Sequence, residues 1–227
     1  MIKEITVAGI KLNSYTALEN LTQIGKRLYS NVFTTVEEVY MRTLLLAKED
    51  ETVKNVIEAL DITVISENGI WDAVGLNSNL RRREVENRDF FFRFMRMLER
   101  NKYDVLILGQ TNQENLEACE YIAGEFPRLN VVGTKALEEC IGMKEKLINE
   151  INMLSPNVII SVLPSPVQEH FLAEHRQMLS TRIWYGVGNG KISGQKHSLK
   201  YVILKKLRKY KLMTYIKEHI LEHEKHE

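Results

Sequence analysis

The stretch from Asn157 to Glu174, NVIISVLPSPVQEHFLAE, decides how this chain folds. Its first part, residues 158–163, is almost entirely apolar and mostly β-branched. This run is too short for a helix, so it predicts a strand buried on both faces of a parallel sheet. A proline-flanked turn follows, and the apolar spacing beyond the turn predicts a helix. We expect Ser165 to cap this helix and Pro166 to occupy its first turn.

Two polar residues in the first turn of this helix, Gln168 and Glu169, are candidates for ligand binding. They would lie at the carboxyl end of a central strand, where open α/β sheets bind ligands. Their side chains could hydrogen-bond the hydroxyl groups or the base edge of a ligand. Alternatively, Glu169 could simply complement the positive end of the helix dipole. Taken alone, the residues favour this second interpretation.

The order of predicted elements indicates the fold class. Strands alternate with helices over about 180 residues, which predicts an α/β fold with a Rossmann-like, mostly parallel sheet and helices on both faces.

Glu4 to Leu12 is predicted to form a bent strand or a hairpin. Thr35 and Glu38 have the spacing of a capping box, which predicts a helix through Leu46. The polar segment from Asn77 to Asn87 predicts a mobile loop.

The composition limits the class of protein. A chain of 227 residues can form one sizeable domain with an appendage. A net charge of +1 implies no general attraction to nucleic acid. Cys119 and Cys140 fall in predicted helices, which favours reduced, buried thiols in a cytosolic protein. No apolar run approaches the length of a membrane span, so no transmembrane helix is predicted.

A basic segment near the carboxyl terminus differs from the rest of the chain. Seven basic residues and no acidic residue lie between Lys196 and Lys211. The glycine-rich stretch from Gly186 to Gly190 predicts a boundary before it. We therefore expect an α/β domain over residues 1–190 and a basic helical tail over residues 191–227.

The predicted tail helix is amphipathic, with apolar side chains roughly on one side and cations, including Lys205 and Arg208, largely elsewhere. Such a helix can lie on an anionic membrane surface. It can also dock on the α/β domain with its basic face in solvent, and both interpretations remain open. His219 and His223 are four residues apart, but no third ligand is near in sequence, so no metal site is predicted.

Several predicted strands end in small or polar residues. Helix N-termini at such points suit phosphate or a sugar diphosphate. The same residue types are also required by ordinary turns, so no single loop identifies a ligand. Neither a Walker loop nor a Gly-x-Gly-x-x-Gly fingerprint is present. The residues at these strand ends include Thr34, Gly109, Gln110, Gly133 and Ser165.

Taken together, these motifs make the chain resemble the WecG/TagA/CpsF glycosyltransferases. The most specific likeness is residues 165–169, which look like the family's Ser-Pro-x-Gln-Glu motif. Residues 173–176 are similar to its Ala-Glu-Asn-Arg, and residues 186–188 to its Gly-Val-Gly-Gly. Shorter similarities, which extend the resemblance from about Ile5 to Gly190, lie at residues 47–50, 106–109 and 131–134.

The resemblance implies a role in the synthesis of surface polysaccharide or teichoic acid, at the cytoplasmic face of the cell membrane. The family transfers an N-acetylhexosamine-type sugar from a nucleotide diphosphate sugar to a polyprenyl-diphosphate-linked acceptor. The implied reaction is inverting and uses no metal or cofactor. The expected partners are a UDP-sugar, the lipid-linked acceptor and the membrane surface. The resemblance is compatible with both homo-oligomers and hetero-oligomers.

The resemblance also implies a set of site residues. Gln168 and Glu169 would bind the donor in a cleft above the sheet that reaches Gln168. Cations of the tail would stabilise the charge of the diphosphate. The remaining residues expected at the cleft are Thr34, Gly109, Gln110, Gly133, Ser165, Lys205 and Arg208.

The position implied to hold the general base differs from the family. The family's Asp-Gly appears here as Asn68-Gly69, and an amide cannot accept the proton of the acceptor hydroxyl. Glu67 precedes it and Asp72 follows about one helical turn later, so either could substitute. The family's Thr-Pro-Asn corresponds to residues 34–36, Thr-Thr-Val, which lack the asparagine. The alternative function is therefore a non-catalytic subunit that binds a nucleotide sugar or acts as a scaffold.

Overall fold

A six-stranded, all-parallel sheet lies at the centre of the molecule and confirms the predicted α/β class. The computed structural model describes residues 4–30, 32–140, 142, 144–188, 192 and 199–224. The described strands are β1 (Glu4–Val7), β2 (Ile10–Asn13), β3 (Thr34–Val39), β4 (Ile62–Ile65), β5 (Asp104–Gly109), β6 (Asn130–Ala136), β7 (Val158–Ser161) and β8 (Ile183–Gly186).

Helices connect the strands and cover both faces of the sheet, which has the strand order β4-β3-β8-β7-β5-β6. The described α-helices are α1 (Ala17–Tyr29), α2 (Met41–Ala47), α3 (Glu51–Glu58), α4 (Asn68–Ala73), α5 (Asn79–Glu86), α6 (Asp89–Asn101), α7 (Asn112–Glu125), α8 (Lys144–Met153), α9 (Val167–His175) and α10 (Leu199–Glu224).

The predicted central strand is β7, and all four of its residues are buried, including Ser161. Alternate residues of the neighbouring β5 enter two different apolar clusters, Leu106 and Leu108 on one face, and Val105 and Ile107 on the other. Both faces are therefore covered, which is the environment that continuous β-branched runs favour.

The first two strands form an antiparallel hairpin outside the main sheet. Of the two forms predicted for this segment, a bent strand or a hairpin, the hairpin is the one observed. Ala8 and Gly9 both have positive φ angles, as a two-residue hairpin turn requires. A side chain at residue 9 would also approach the His219 ring of α10 to 3.1 Å. The hairpin turn and the tail helix are thus packed together.

The helix predicted from Thr35 to Leu46 is wrong in its first part, because residues 34–39 form β3. Asp61 explains the failure of the capping signature. Its Oδ2 accepts hydrogen bonds from the backbone amide of Thr35 at 2.9 Å and from the Thr35 hydroxyl at 3.0 Å. The residue that resembled a helix cap is therefore bonded to the turn before β4.

The mobile loop predicted at residues 77–87 is also wrong, because most of it is α5. The Ser78 side chain caps the helix by accepting from the Arg81 amide. Arginine and glutamate favour the helix, although none of its residues is buried. The polar composition reflected exposure and not the lack of secondary structure.

The expected cap of α9 is shifted by one residue. Pro166 occupies the cap position, and the peptide bond between Ser165 and Pro166 is cis. The Ser165 hydroxyl lies 2.5 Å from Glu169 Oε1, one turn into the helix. Ser165 thus contacts the helix through a carboxylate side chain and not through the backbone amides that a cap would engage.

The tail contains one long helix, α10, which packs against α2 and α4. Leu212 is fully buried in the core. Lys209 Nζ lies 2.6 Å from an Asp72 oxygen, and Lys211 Nζ lies 2.6 Å from a Glu49 oxygen. The predicted domain boundary at residues 190 and 191 lies outside the described residues.

Candidate active site

A cavity of about 490 Å³ opens at the carboxyl ends of β3 and β4. These two strands are parallel neighbours, and Val39 is paired with Ile65, so their ends meet at the same edge of the sheet. The start of α4, the length of α5 and the start of α6 form further walls. Lys205 of α10 also lines the cavity, so the tail helix takes part in the site.

The charged groups of the cavity have both signs. Carboxylates come from Glu38, Glu67, Glu84 and Glu86, and cations from Arg81, Arg88 and Lys205. In a cavity with this mixture, the cations can bind an anionic ligand and a carboxylate can accept a proton.

Glu38 is the carboxylate at the end of β3. It is buried and accepts hydrogen bonds from the hydroxyls of Tyr40 and Tyr185. Burial, followed by the charge of Glu38, raises the pKa of both tyrosines well above the usual value. Both phenols therefore stay protonated and keep donating to the carboxylate.

Glu67 is the second residue after β4 and lines the cavity, although its exposed fraction is only 4%. Its Oε2 accepts the Met41 amide at 2.9 Å, which holds the start of α2. Burial raises the pKa of Glu67, while the Met41 amide and the charges of Lys205 and Arg208 act in the opposite direction. Two predicted tail cations thus lie close enough to Glu67 to influence it.

Asn68 and Asp72 follow on α4 and differ in position. Asn68 lines the cavity, and its Nδ2 donates to Glu86 Oε1 at 3.1 Å. Asp72 is not among the lining residues and pairs with Arg82 of α5 and Lys209 of α10. The hydrogen bond from Lys209 is the main reason why the pKa of Asp72 is lowered. Asp72 therefore joins three helices, and a catalytic role for it stays a prediction.

The Ser-Pro-x-Gln-Glu residues lie elsewhere, beneath the end of β8. Ser165, Gln168 and Glu169 are buried, and none of them lines the cavity. The Gly188 amide donates to Gln168 Oε1 at 3.4 Å, and Ser165 Oγ lies 3.2 Å from the Gly188 carbonyl oxygen. The expectation that the cleft reaches Gln168 is not met by this cavity, and a role of these residues in donor binding stays a prediction.

A second acidic side chain, Glu37 of β3, faces this buried group. Burial and the nearby Glu169 carboxylate raise the pKa of Glu37 well above its usual value, and burial likewise raises the pKa of Glu169. Trp184 and Gln168 partly offset the effect on Glu37. Within the described residues, however, neither makes a hydrogen bond of normal geometry to it.

The other residues predicted for the cleft are not brought to the cavity. Thr34 begins β3, so it lies at the amino edge of the sheet, where its hydroxyl donates to the Val32 carbonyl. Gly109 ends β5, which β7 and β8 separate from β3. Gln110 follows it, and Gly133 lies inside the edge strand β6, which runs three residues beyond the predicted end. Their binding roles remain predictions without support from this geometry.

Several cavity residues were missed from the sequence, among them Glu38, Tyr40, Glu86 and Arg88. The sequence predicts a helix at Glu38 and Tyr40 and a loop at Glu86. The four β-branched residues among positions 34–39 could have indicated that Tyr40 follows a strand. No comparable signal marks Glu86, since its position depends on how α5 packs.

The described residues also set limits on other kinds of site. They contain no group of three or more histidine, cysteine, aspartate or glutamate side chains that could hold a metal ion. None of the described helices has both the length and the hydropathy needed to cross a bilayer.

Comparison with known proteins agrees with the resemblance read from the motifs. Residues 5–191 match the model of the glycosyl transferase WecG/TagA/CpsF family. No curated protein matches the chain. Because the family match covers well over half of the sequence, the protein belongs to the WecG/TagA/CpsF family of glycosyltransferases, which act in cell-surface polysaccharide synthesis.

Proposed function

We propose that the protein transfers an N-acetylhexosamine-type sugar from a nucleotide diphosphate sugar, such as a UDP-sugar, to a polyprenyl-diphosphate-linked acceptor. The observation that carries this proposal is the cavity at the carboxyl ends of β3 and β4, where carboxylates and cations meet in one space. Open parallel sheets bind ligands at this edge. The family match supports a glycosyl transfer, and the cavity is where we propose that it takes place.

The reaction needs three events at the anomeric carbon of the donor. The acceptor hydroxyl oxygen forms a bond to this carbon, and the bond from the carbon to the diphosphate oxygen breaks. The nucleoside diphosphate leaves with the electron pair, while a carboxylate takes the hydroxyl proton. Cavity cations such as Arg88 and Lys205 would stabilise the leaving diphosphate, since preorganised charge lowers the barrier where charge develops.

Binding of uridine diphosphate is the first test. A ligand at 100 times its Kd stabilises a protein by about 2.7 kcal/mol, which corresponds to a rise in Tm of roughly 5 °C or more for a chain of this size. We expect Lys205→Glu to lose much of this response. Lys217→Glu, on an exposed part of the same helix, should keep it. No rise in Tm with any nucleoside diphosphate would contradict the donor site.

Turnover is the second test. The protein is incubated with a panel of nucleotide sugars and a short-chain lipid diphosphate acceptor, and the glycosylated lipid is measured. Transfer of one sugar supports the proposal. Nucleotide binding without transfer supports the second candidate function, a non-catalytic sugar-nucleotide-binding or scaffold subunit. The amide of Asn68 in the cavity is the observation that favours this second function.

We also propose that α10 attaches the protein to the cytoplasmic surface of the membrane. Ile203 and Leu207 lie one turn apart on α10 and are 59% and 60% exposed. The cations Lys206 and Arg208 flank Leu207 in sequence. An exposed apolar stripe beside cations suits an interface with anionic lipids.

Vesicle binding tests this attachment. Replacing both Ile203 and Leu207 with aspartate should weaken binding to phosphatidylglycerol vesicles at least tenfold. The reason is that the bilayer would lose contact with two apolar side chains. Sedimentation of the vesicles measures the bound fraction. Met153→Asp is the matched control, since Met153 is an 83% exposed apolar residue on α8. Equal binding of all three proteins would rule out α10 as the membrane contact.

A further inference from the structure

We propose that Glu86 is the carboxylate that removes the proton of the acceptor hydroxyl, and that Asn68 is the residue that positions it. This inference rests on the proposed glycosyl transfer and names a base that none of the sequence motifs indicates. It depends on the accessibility and hydrogen bonding of the four carboxylates that line the cavity.

Two of these carboxylates are occupied by other groups. Glu38 is buried and accepts from two tyrosine hydroxyls. Glu84 accepts the Ala17 amide at 3.1 Å through Oε1, and its Oε2 lies 4.0 Å from the Arg81 guanidinium. Both oxygens of Glu38 are therefore occupied. Glu84 has one oxygen bonded to the start of α1 and the other facing Arg81, and its side chain is only 16% exposed, so it is already paired with a cation and poorly accessible to a substrate.

Glu67 is the stronger competitor, because burial raises its pKa toward the range that suits a base. Its side chain is nearly inaccessible, however, and one oxygen is bonded to the Met41 amide. A general base must first be able to reach the proton, and only then does its pKa decide its efficiency. The geometry therefore favours Glu86 over Glu67.

Glu86 is the last residue of α5, is exposed and lines the cavity. Its Oε1 accepts from Asn68 Nδ2 at 3.1 Å. Within the described part of the chain, no hydrogen bond involves its second oxygen, Oε2. One oxygen is thus held in place while the other can face a substrate hydroxyl.

Asn68 is suited to the positioning role by its chemistry. It cannot take a proton from a hydroxyl, but its amide N–H can fix the orientation of a carboxylate. If the amide were reversed, its oxygen would face the Glu86 oxygen and repel it, so the hydrogen bond determines which side of the amide points to Glu86. The amide at position 68 therefore does not leave the cavity without a base.

The proton of the acceptor hydroxyl moves to Glu86 Oε2 while the hydroxyl oxygen bonds to the anomeric carbon. The bond from that carbon to the diphosphate breaks, and the nucleoside diphosphate leaves with its electrons. Water then takes the proton from Glu86 after the product has left.

The test compares single variants with an exchanged pair. Glu86→Gln should lower kcat by about 10²- to 10⁴-fold and leave KM within about threefold, since only proton transfer is lost. Combining Asn68→Asp with Glu86→Gln reverses the hydrogen-bonded pair and restores a carboxylate, so it should recover at least about tenfold over Glu86→Gln alone. Glu145→Gln, on the exposed surface of α8, is the control and should match the wild type.

Each outcome decides the inference. A kcat for Glu86→Gln within threefold of the wild type overturns it, and a large loss in Glu67→Gln alone would assign the proton to Glu67. Failure of the exchanged pair to recover activity would remove the positioning role of Asn68. A wild-type protein that binds uridine diphosphate but transfers no sugar would instead overturn the proposed function as well. The Tm of every variant is measured to show that it is folded.

Discussion

Two buried carboxyl groups, Glu37 of β3 and Glu169 of α9, lie close enough to influence each other, and Gln168 of α9 adjoins them. The Ser-Pro-x-Gln-Glu residues could be recognised from the sequence, but their burial could not. Glu37 was part of a predicted helix, and its partner is 132 positions away in the chain. A local pattern carries no information about such a pairing.

Replacing Glu37 with glutamine should stabilise the protein at neutral and higher pH. The folded-state pKa of Glu37 is raised above its unfolded value, so the folded chain binds more protons and stability falls as pH rises through the folded pKa. Glu37→Gln removes this loss, with a gain on the order of 1 kcal/mol at pH 8 that shrinks toward pH 4. Urea unfolding at several pH values measures it, and a gain that does not vary with pH would contradict the mechanism.

A close contact at Gly186 gives a second prediction. A methyl group there would lie 2.5–2.7 Å from side-chain atoms of Gln168, so Gly186→Ala should destabilise the fold by about 1–3 kcal/mol. Gly25→Ala is the control, because nothing lies within 4 Å of its added methyl group in α1. This control should stabilise the protein by about 0.5–1 kcal/mol. Chemical denaturation distinguishes them, and equal effects would show that the contact relaxes freely.

At the scale of single elements, periodicity predicted most strands and helices, and the errors have local causes. The Thr35 signature failed because Asp61, which is distant in sequence, bonds to the same hydroxyl. Residues 79–86 form a helix with no buried face, so no apolar period could reveal it. Both errors fell on walls of the cavity and cover four of its seven charged lining residues, Glu38, Arg81, Glu84 and Glu86.

The docking of α10 is a prediction at this scale. Leu212 is fully buried against the body, whereas Leu207 on the same helix is 60% exposed. Leu212→Ala should cost about 2–5 kcal/mol, because a buried side chain leaves a cavity. Leu207→Ala should stay within about 0.5 kcal/mol of the wild type. Limited trypsin digestion should then cleave the tail of Leu212→Ala faster, and equal digestion rates would mean that α10 is held by its ion pairs.

For the whole molecule, alternation of strands and helices predicted a parallel α/β fold, and the structure confirms it. The order of the strands did not follow from that pattern, yet it decides which loops meet. Gly109 and Gly133 belong to β5 and β6, on the far side of β7 and β8 from the cavity. Strand order depends on packing across the entire sheet, and this explains why the sequence groups loops of similar composition that the structure holds apart.

The uneven burial of the molecule predicts uneven protection from hydrogen exchange. The strands β7 and β8 are entirely buried, whereas α5 buries no residue. Amides of α5 should exchange by local opening, much faster than those of the two strands. Because α5 forms a wall of the cavity, uridine diphosphate should slow its exchange and leave β7 unchanged. Uniform slowing across the chain would point to global stabilisation only.

Lys205 places α10 at the cavity, while Ile203 and Leu207 of the same helix face outward. Because one helix contributes to both the cavity and the exposed apolar surface, a movement of α10 would change both of them together. If lipid contact changes how α10 sits, the affinity of the cavity for its substrate changes by some factor, and substrate must alter the affinity for lipid by the same factor. Saturating the protein with nucleotide would then change the residence time of each molecule on a bilayer.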